Sequence, residues 1–443
     1  MTRASKLLVA VLAVVLAVLA APAARAVTVE RVVSPGGIEA WLVRDHTNPI
    51  ISVRFAFRGG AALDPAGKEG LANMTSALLD EGAGELDSKT FQQELEDLAI
   101  TLRFDAGRDT FGGRLKTLVE NADTAFRLLA LALTQPRFDP GPVARIRSQI
   151  VSGLKQDAEN PDAVANKTLM RTLFPGHPYG RPVEGTLESV AAIQATDLRA
   201  FVSDRLARDT LYIGVVGDIT PKALRPVLDD VFGGLGANAR SWAVPDTEPQ
   251  GAGRVVVVDK AVPQSVIVFA DKGIKRKHPD FYAAYVMNHV LGSGGFTSRL
   301  YDTIREKRGL AYSVYSSLHP FDHAALILGG AGTANERVSE TLGLLRREWA
   351  RMADTGITEN ELRDAKTFLT GSFPLRFTSS GRIAGMLVGI QMDDLGIDYF
   401  DRRNGLIDAV TLADVTRMAK TLLRPDRLTV VVVGRPDGVK GTN

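Results

Sequence analysis

The chain has 443 residues, more than a single hydrophobic core usually holds and enough for two domains of ordinary size. Its 53 basic and 51 acidic residues nearly cancel, to a net charge of +2, so no strong field marks it as a binder of nucleic acid or of a membrane surface. The absence of cysteine excludes disulfides, thiolate metal sites, a cysteine nucleophile and a lipoprotein anchor, and it suits an oxidising compartment.

The first predicted element is an export signal. Arg3 and Lys6 supply a positive region, an apolar run follows from Leu7 to Ala21, and Ala24-Arg25-Ala26 offers small residues where a signal peptidase reads. Cleavage after Ala26 would leave Val27 as the mature start. The run is short for a membrane anchor. No later segment is long and apolar enough to span a bilayer, so the mature chain is expected to have no membrane partner.

The remainder repeats itself. Ser52-Val53-Arg54-Phe55 opens a predicted strand that reaches Gly60, and Ser265-Val266-Ile267-Val268 opens one that reaches Gly273, an offset of 213 (265 − 52). A helix carrying Ile193, Asp197, Leu198 and Phe201 leads to the strand Leu211–Val216 and Gly217. Val410, Asp414, Val415, Met418, the strand Leu428–Val433 and Gly434 repeat it at an offset of 217 (434 − 217). Two ordered matches at nearly equal offsets indicate duplication. Long amphipathic helices are predicted between the β-rich ends of each copy, over Val119–Thr134 and Val143–Gln156, then Val338–Arg351 and Glu359–Ser372. A stretch rich in Gly, Ala and Pro separates the copies. The expected fold class is therefore α+β: two homologous α/β sandwiches, each a mostly antiparallel sheet with helices on one face. The boundaries expected are residues 1–26 for the signal peptide, 27–235 for the N-terminal domain, 236–253 for the linker and 254–443 for the C-terminal domain.

The richest local pattern runs from Gly292 through Gly294, Gly295 and Arg305 to Gly309 and Tyr312. It predicts a glycine-rich turn opening a helix of about three turns. Gly309 would end that helix in a left-handed conformation, and a strand would begin at Tyr312. Arg305 and Tyr312 can then reach one surface, where a guanidinium and a phenol form a donor pair suited to a carbonyl oxygen or oxyanion. A helix-terminal salt bridge beside a half-buried tyrosine is the alternative on spacing alone.

This run, in its place in the second copy, closely resembles the pitrilysin/insulinase family of zinc peptidases, especially members of this size similar to mitochondrial processing peptidase. The resemblance covers the whole mature chain. It implies that Arg305 and Tyr312 bind substrate, facing a zinc centre across an enclosed chamber. Active members carry H-x-x-E-H on a helix early in the first copy, with histidines four apart as zinc ligands and a glutamate that activates water. A second glutamate on a later helix completes the set. Here the matching positions hold Asn73, Ser76 and Ala77. Aligning from Gln135-Pro136-Arg137-Phe138-Asp139 puts Gly153 at the distant glutamate, and Ile146 replaces another acidic family position. No ligand and no general base remains, so no cofactor is expected in this chain.

Other candidates are weak. His319 and His323 are four apart, but Pro320 keeps them off one helical face. His177, in a Pro- and Gly-rich loop, reads as structural, and Asp64 and Glu81 read as solvated or capping residues. The resemblance thus implies a non-catalytic subunit of a heterodimeric extracytoplasmic metallopeptidase, most simply periplasmic. Its partner would be a homologous chain bearing H-x-x-E-H and zinc, and its substrate a peptide. The alternative is an inert scaffold or peptide-binding protein.

Overall fold

The computed structural model describes residues 27–442, so the expected signal peptide lies outside the described residues. The chain forms two mixed sheets. In the first, β1 (Glu30–Val33), β2 (Glu39–Arg44), β3 (Ile50–Arg58), β4 (Thr101–Ala106), β5 (Thr110–Leu118) and β6 (Leu211–Gly217) lie in the order β1-β2-β6-β3-β5-β4. In the second, β7 (Val255–Asp259), β8 (Gln264–Lys272), β9 (Ala311–Pro320), β10 (Ala325–Ala334) and β11 (Thr429–Gly434) lie in the order β7-β11-β8-β10-β9. Each sheet is antiparallel except for one parallel pair, β2 with β6 and β7 with β11. The expected mostly antiparallel α+β architecture is therefore the one observed.

Helices that matter below are, in the first half, α1 (Leu71–Ser76), α2 (Ala122–Thr134), α3 (Pro140–Glu159), α4 (Pro161–Leu173), α5 (Ala195–Arg205) and α6 (Pro221–Phe232). In the second half they are α7 (Phe281–Asn288), α8 (Val338–Thr355), α9 (Glu359–Gly371), α10 (Ser380–Met392) and α11 (Leu412–Leu422). The match at offset 217 has a physical cause. Asp197 and Asp414 each turn back to accept the N–H of the residue before their helix, Gln194 at 2.8 Å and Thr411 at 3.0 Å. That satisfies a donor the helix start would leave orphaned. Gly217 and Gly434 close the two equivalent strands at φ +146° and +152°, where a Cβ would lie 2.1 Å from the Ile50 carbonyl oxygen and 2.2 Å from Ser265 Oγ.

The strand match, by contrast, is one residue out. Ser52 pairs with Val216 and Val266 pairs with Val433. Since Val216 and Val433 are equivalent, Ser52 corresponds to Val266, an offset of 214 (266 − 52) rather than 213. A slip of one residue reverses the face of every side chain. The corrected register places Val53 on Ile267 and Phe55 on Phe269, all four buried in the main core of their own half.

The arrangement of layers also departs from expectation. Each half lays most of its helices on one face of its own sheet, as predicted, but the opposite face is covered by the other half. Helix α4 packs its Ala165, Leu169 and Leu173 onto Val268, Val431 and Val433 of the second sheet. Helix α10 packs Ile383, Ala384 and Leu387 onto Trp41, Val43 and Val216 of the first. Gly214 permits that approach, because a Cβ there would sit 2.4 Å from the Ala384 carbonyl oxygen. The all-apolar run Val430–Val433 is buried throughout, as a strand covered on both faces requires. Residues 241–250 between the halves form neither helix nor strand. They are pinned by Gln250 N–H donating to Leu173 O at 2.7 Å and Thr247 N–H donating to His323 O at 2.8 Å.

Candidate functional site

Two places bear on function, one in each half. The first is the start of α1, where the family resemblance places the motif positions Asn73, Ser76 and Ala77. Gly70 holds a left-handed conformation at φ +94° just before the helix. The Asp64 carboxylate accepts the N–H groups of Gly70 at 2.9 Å and Ala72 at 3.1 Å. Asp64 is thus a buried cap, not a solvated residue. Its burial pushes the carboxyl up to about 7, against the pull of those N–H donors.

On α1 itself, Ser76 Oγ donates to the Asn73 carbonyl at 2.8 Å, so the hydroxyl is spent within its own turn. Asn73 and Ala77 are half-buried beside it. Gly153 lies on α3, where a Cβ would meet nothing within 4 Å, and Ile146 is buried in the core. A shallow pocket of about 270 Å³ opens beside α1, lined by Ser76, Ala77, Asp80, Glu81, Gln92 and Arg103. Its carboxylates are already engaged. Arg145 forks onto both oxygens of Glu81, which also accepts from Ser88 Oγ, and Arg103 pairs with Asp80 at 3.1 Å. Glu81 is therefore an ion-paired residue rather than a solvated or capping one. None of Asn73, Ser76, Ala77 and Gly153 supplies an imidazole or carboxylate. Among the described residues no three His, Asp or Glu side chains gather as metal ligands. A zinc ion does not fit these residues.

The second place is the glycine-rich segment. Gly292 lets α7 continue, π-wound over His289–Ser293, close against β9, since a Cβ there would lie 2.3 Å from Ser316 Oγ. Gly294 brings the chain back onto the His289 carbonyl, and Gly295 takes φ +60°. The helix after it is shorter than expected. Gly295–Thr297 forms its own 3₁₀ turn and Ser298 is extended, so the helix starts at Arg299 and is π-wound over Tyr301–Glu306. It ends as predicted, at Gly309 with φ +60°, and β9 follows from Ala311. Arg299 fastens this piece from its first turn. It forks onto both oxygens of Glu361 at 2.7 Å each, tying the segment to the start of α9. Burial opposes the Glu361 charge, but the fork and the Thr358 N–H outweigh it and hold the carboxyl at about 2.

Arg305 and Tyr312 do come together. The Arg305 guanidinium carbon stands 4.8 Å from the centre of the Tyr312 ring and 4.8 Å from that of Tyr301. Cation–π attraction of roughly 0.5–1 kcal/mol per ring orients it without using its N–H donors. Two neighbouring acceptors have other partners: Asp302 pairs with Lys307, and the Thr303 carbonyl accepts from Arg308. Among the described residues, no carboxylate lies within ion-pair distance of Arg305. The spacing-only alternative of a helix-terminal salt bridge and a half-buried tyrosine is thereby corrected, as Tyr312 is 80% exposed. Phe296, 73% exposed, stands edge-on to Tyr301 with centroids 5.0 Å apart. Tyr301 and Phe296 are absent from the sequence reading, although the i, i+4 spacing of Tyr301 and Arg305 signals the first of them.

The structure does not bring the two places together. Helix α1 packs on α3, α5, β4 and β5, whereas the Tyr301–Glu306 turn packs on β9 and α8. The remaining candidates are structural. His177 accepts from Tyr179 N–H and bonds the Pro245 carbonyl at 3.0 Å. His319 bonds Ser317 Oγ at 2.8 Å, and His323 meets Asp246 at 3.2 Å, each with its own partner.

Two family models match successive parts of the chain. Residues 40–187 match the family model of insulinase (peptidase family M16), and residues 192–369 match that of the peptidase M16 inactive domain. The non-peptidase homolog YmxG of Helicobacter pylori is 31% identical over 333 residues, spanning 75% of this chain and 77% of that protein. An uncharacterized zinc protease of Mycobacterium leprae is 26% identical over 409 residues, spanning 90% and 91%. The crystal structure of a peptidase M16 inactive domain from Pseudomonas fluorescens superposes with a TM-score of 0.87 at 27% identity, covering 94% of this chain and 100% of that one. The chain belongs to the M16 (insulinase) peptidase family.

Proposed function

We propose that this chain is the non-catalytic subunit of a heterodimeric extracytoplasmic zinc metallopeptidase. It would supply the Arg305–Tyr312 pair and half of a chamber that admits unfolded or short peptides. The partner would be a homologous chain carrying H-x-x-E-H, the distant glutamate and the zinc. The observation that carries this reading is the state of Arg305: oriented by two tyrosine rings, presented beside an exposed phenol, and committed to no side-chain acceptor among the described residues. A group held this way is preorganised to donate to a carbonyl oxygen that gains negative charge as a peptide bond is attacked. Helix α1 and the Tyr301–Glu306 turn pack on different elements, and no ligand cluster lies among the described residues, so the complementary metal site is assigned to another chain. The positive region, apolar run and Ala24-Arg25-Ala26 support export; the periplasm is proposed as the site of action from the family resemblance.

The test is reconstitution with a co-expressed H-x-x-E-H homologue. Arg305→Ala or Tyr312→Phe should lower turnover of the pair by about 10²–10³ while leaving assembly intact. Unchanged turnover in both variants removes the catalytic role and leaves the scaffold reading. Chelator-sensitive cleavage by this chain alone would overturn the proposal.

A further inference from the structure

Apart from both places described above, a cleft of about 480 Å³ opens where the two halves and the linker meet. Its apolar wall includes Leu63 from the first half, Trp242 and Val244 from the linker, and Phe321 and Met392 from the second. Its charged wall is not balanced. Arg58 pairs with Asp322 at 2.8 Å and Arg276 faces Asp393 at 3.7 Å. Lys277 pairs with Asp394 at 3.3 Å, and Lys275 donates to the Asp322 carbonyl at 2.6 Å. Asp109 is used from both sides, accepting the Tyr179 hydroxyl at 2.6 Å and the Asp322 N–H at 3.1 Å. That leaves Arg108. Among the described residues its guanidinium donates to one acceptor, the Arg181 carbonyl at 3.0 Å, and has no carboxylate within ion-pair distance.

We infer that this cleft is a binding site for a small carboxylate on an apolar body, with the carboxylate forked on Arg108 and the body against Trp242, Val244 and Phe321. The planar guanidinium suits a carboxylate held by two parallel bonds. Burial holds the Arg108 guanidinium below the ordinary arginine range, and the fields of Glu184 and Asp109 only partly offset this. An arriving anion would relieve that cost. The neighbouring Asp109 and Asp322 disfavour a multiply charged ligand, so a single carboxylate fits better than phosphate. Two sources carry this chemistry: the free end of a short peptide and an aliphatic acid. The site shares no residue with the Arg305–Tyr312 pair, so it stands or falls separately from the proposed subunit function.

Calorimetric titration of the full mature chain with N-acetyl-leucine, octanoate and N-acetyl-leucinamide tests it. Either carboxylate should bind, and which one does identifies the source. The amide should bind at least about tenfold more weakly, as should either carboxylate to Arg108→Gln. The exposed Arg225→Gln should behave as the parent, and Arg108→Lys should fall between parent and Arg108→Gln. Failure of both carboxylates to bind, equal binding of the amide, or parent-like binding by Arg108→Gln would overturn the inference. If Arg108→Gln does not fold, Arg108→Lys decides the matter, since parent-like binding there excludes the fork.

Discussion

The two halves treat their polar groups in opposite ways. Around α1, Ser76 turns inward to a carbonyl, Glu81 is forked by Arg145, Asp80 meets Arg103 and Asp64 caps two N–H groups. Around the glycine-rich segment, Arg299 forks onto Glu361, while Arg305, six residues on, is held by ring faces and has no ion-pair partner among the described residues. Polar groups that close on one another stabilise a fold. A donor set that is oriented but unspent is poised for something else. The surroundings of α1 are closed on themselves, whereas the glycine-rich segment keeps one oriented guanidinium without an ion-pair partner among the described residues.

That contrast can be broken most sharply by equivalent changes in the two halves of the reconstituted pair. Ser76→Ala should leave turnover within about twofold, against the loss of about 10²–10³ expected for Arg305→Ala, as measured by steady-state cleavage of a peptide. A Ser76→Ala loss approaching that of Arg305→Ala would show that the first half is still in use. Next in size is Glu361→Gln, which leaves the fork of Arg299 half-satisfied. It should destabilise the chain by about 1–3 kcal/mol in denaturant unfolding and speed hydrogen exchange across residues 292–309. Unaltered exchange there would mean that Arg299 does not position the segment.

A smaller effect is expected at Asp64, where the sign is set by its raised pKa. Its folded value is about 7 against an ordinary 3.8, so the folded chain holds that proton longer than the unfolded one. The stability it contributes is fully present below the unfolded value and is lost as pH rises through the folded one. Unfolding free energy should therefore fall across this window in the parent and fall less in Asp64→Asn; equal slopes would refute the assignment. Smallest is Gly153→Ala, which should raise stability by about 0.5–1 kcal/mol, because a Cβ at Gly153 meets open space on a helix, and should leave turnover unchanged. Destabilisation would mean that the glycine is needed for more than filling a vacated position.

Much of this was legible in the sequence because it is local. The capping carboxylates Asp197 and Asp414 and the strand-ending Gly217 and Gly434 mark equivalent turns, and they give the 217-residue repeat directly. Arg305 and Tyr312 are seven apart across a turn that Gly309 dictates. What escaped the reading is long-range or depends on register. Ser52-Val53 looks like Ser265-Val266, yet the sheet pairs Ser52 as it pairs Val266; an alternating strand cannot reveal a slip of one by composition alone. The Arg299–Glu361 fork spans 62 residues. The crossing of α4 and α10 is invisible to periodicity, since an apolar stripe on a helix does not say whose sheet will cover it.

That crossing bears on how the molecule would come apart. Helices α4 and α10 are each 13 residues long and begin 219 positions apart (380 − 161), so the duplicated unit has traded the same part in both directions. This is the pattern of a swapped dimer fused into one polypeptide. A protease nick within residues 241–250 should therefore yield two fragments that still travel as one particle on a sizing column. Expressing either fragment alone should give insoluble material, because its sheet would meet water on a face made for its sibling.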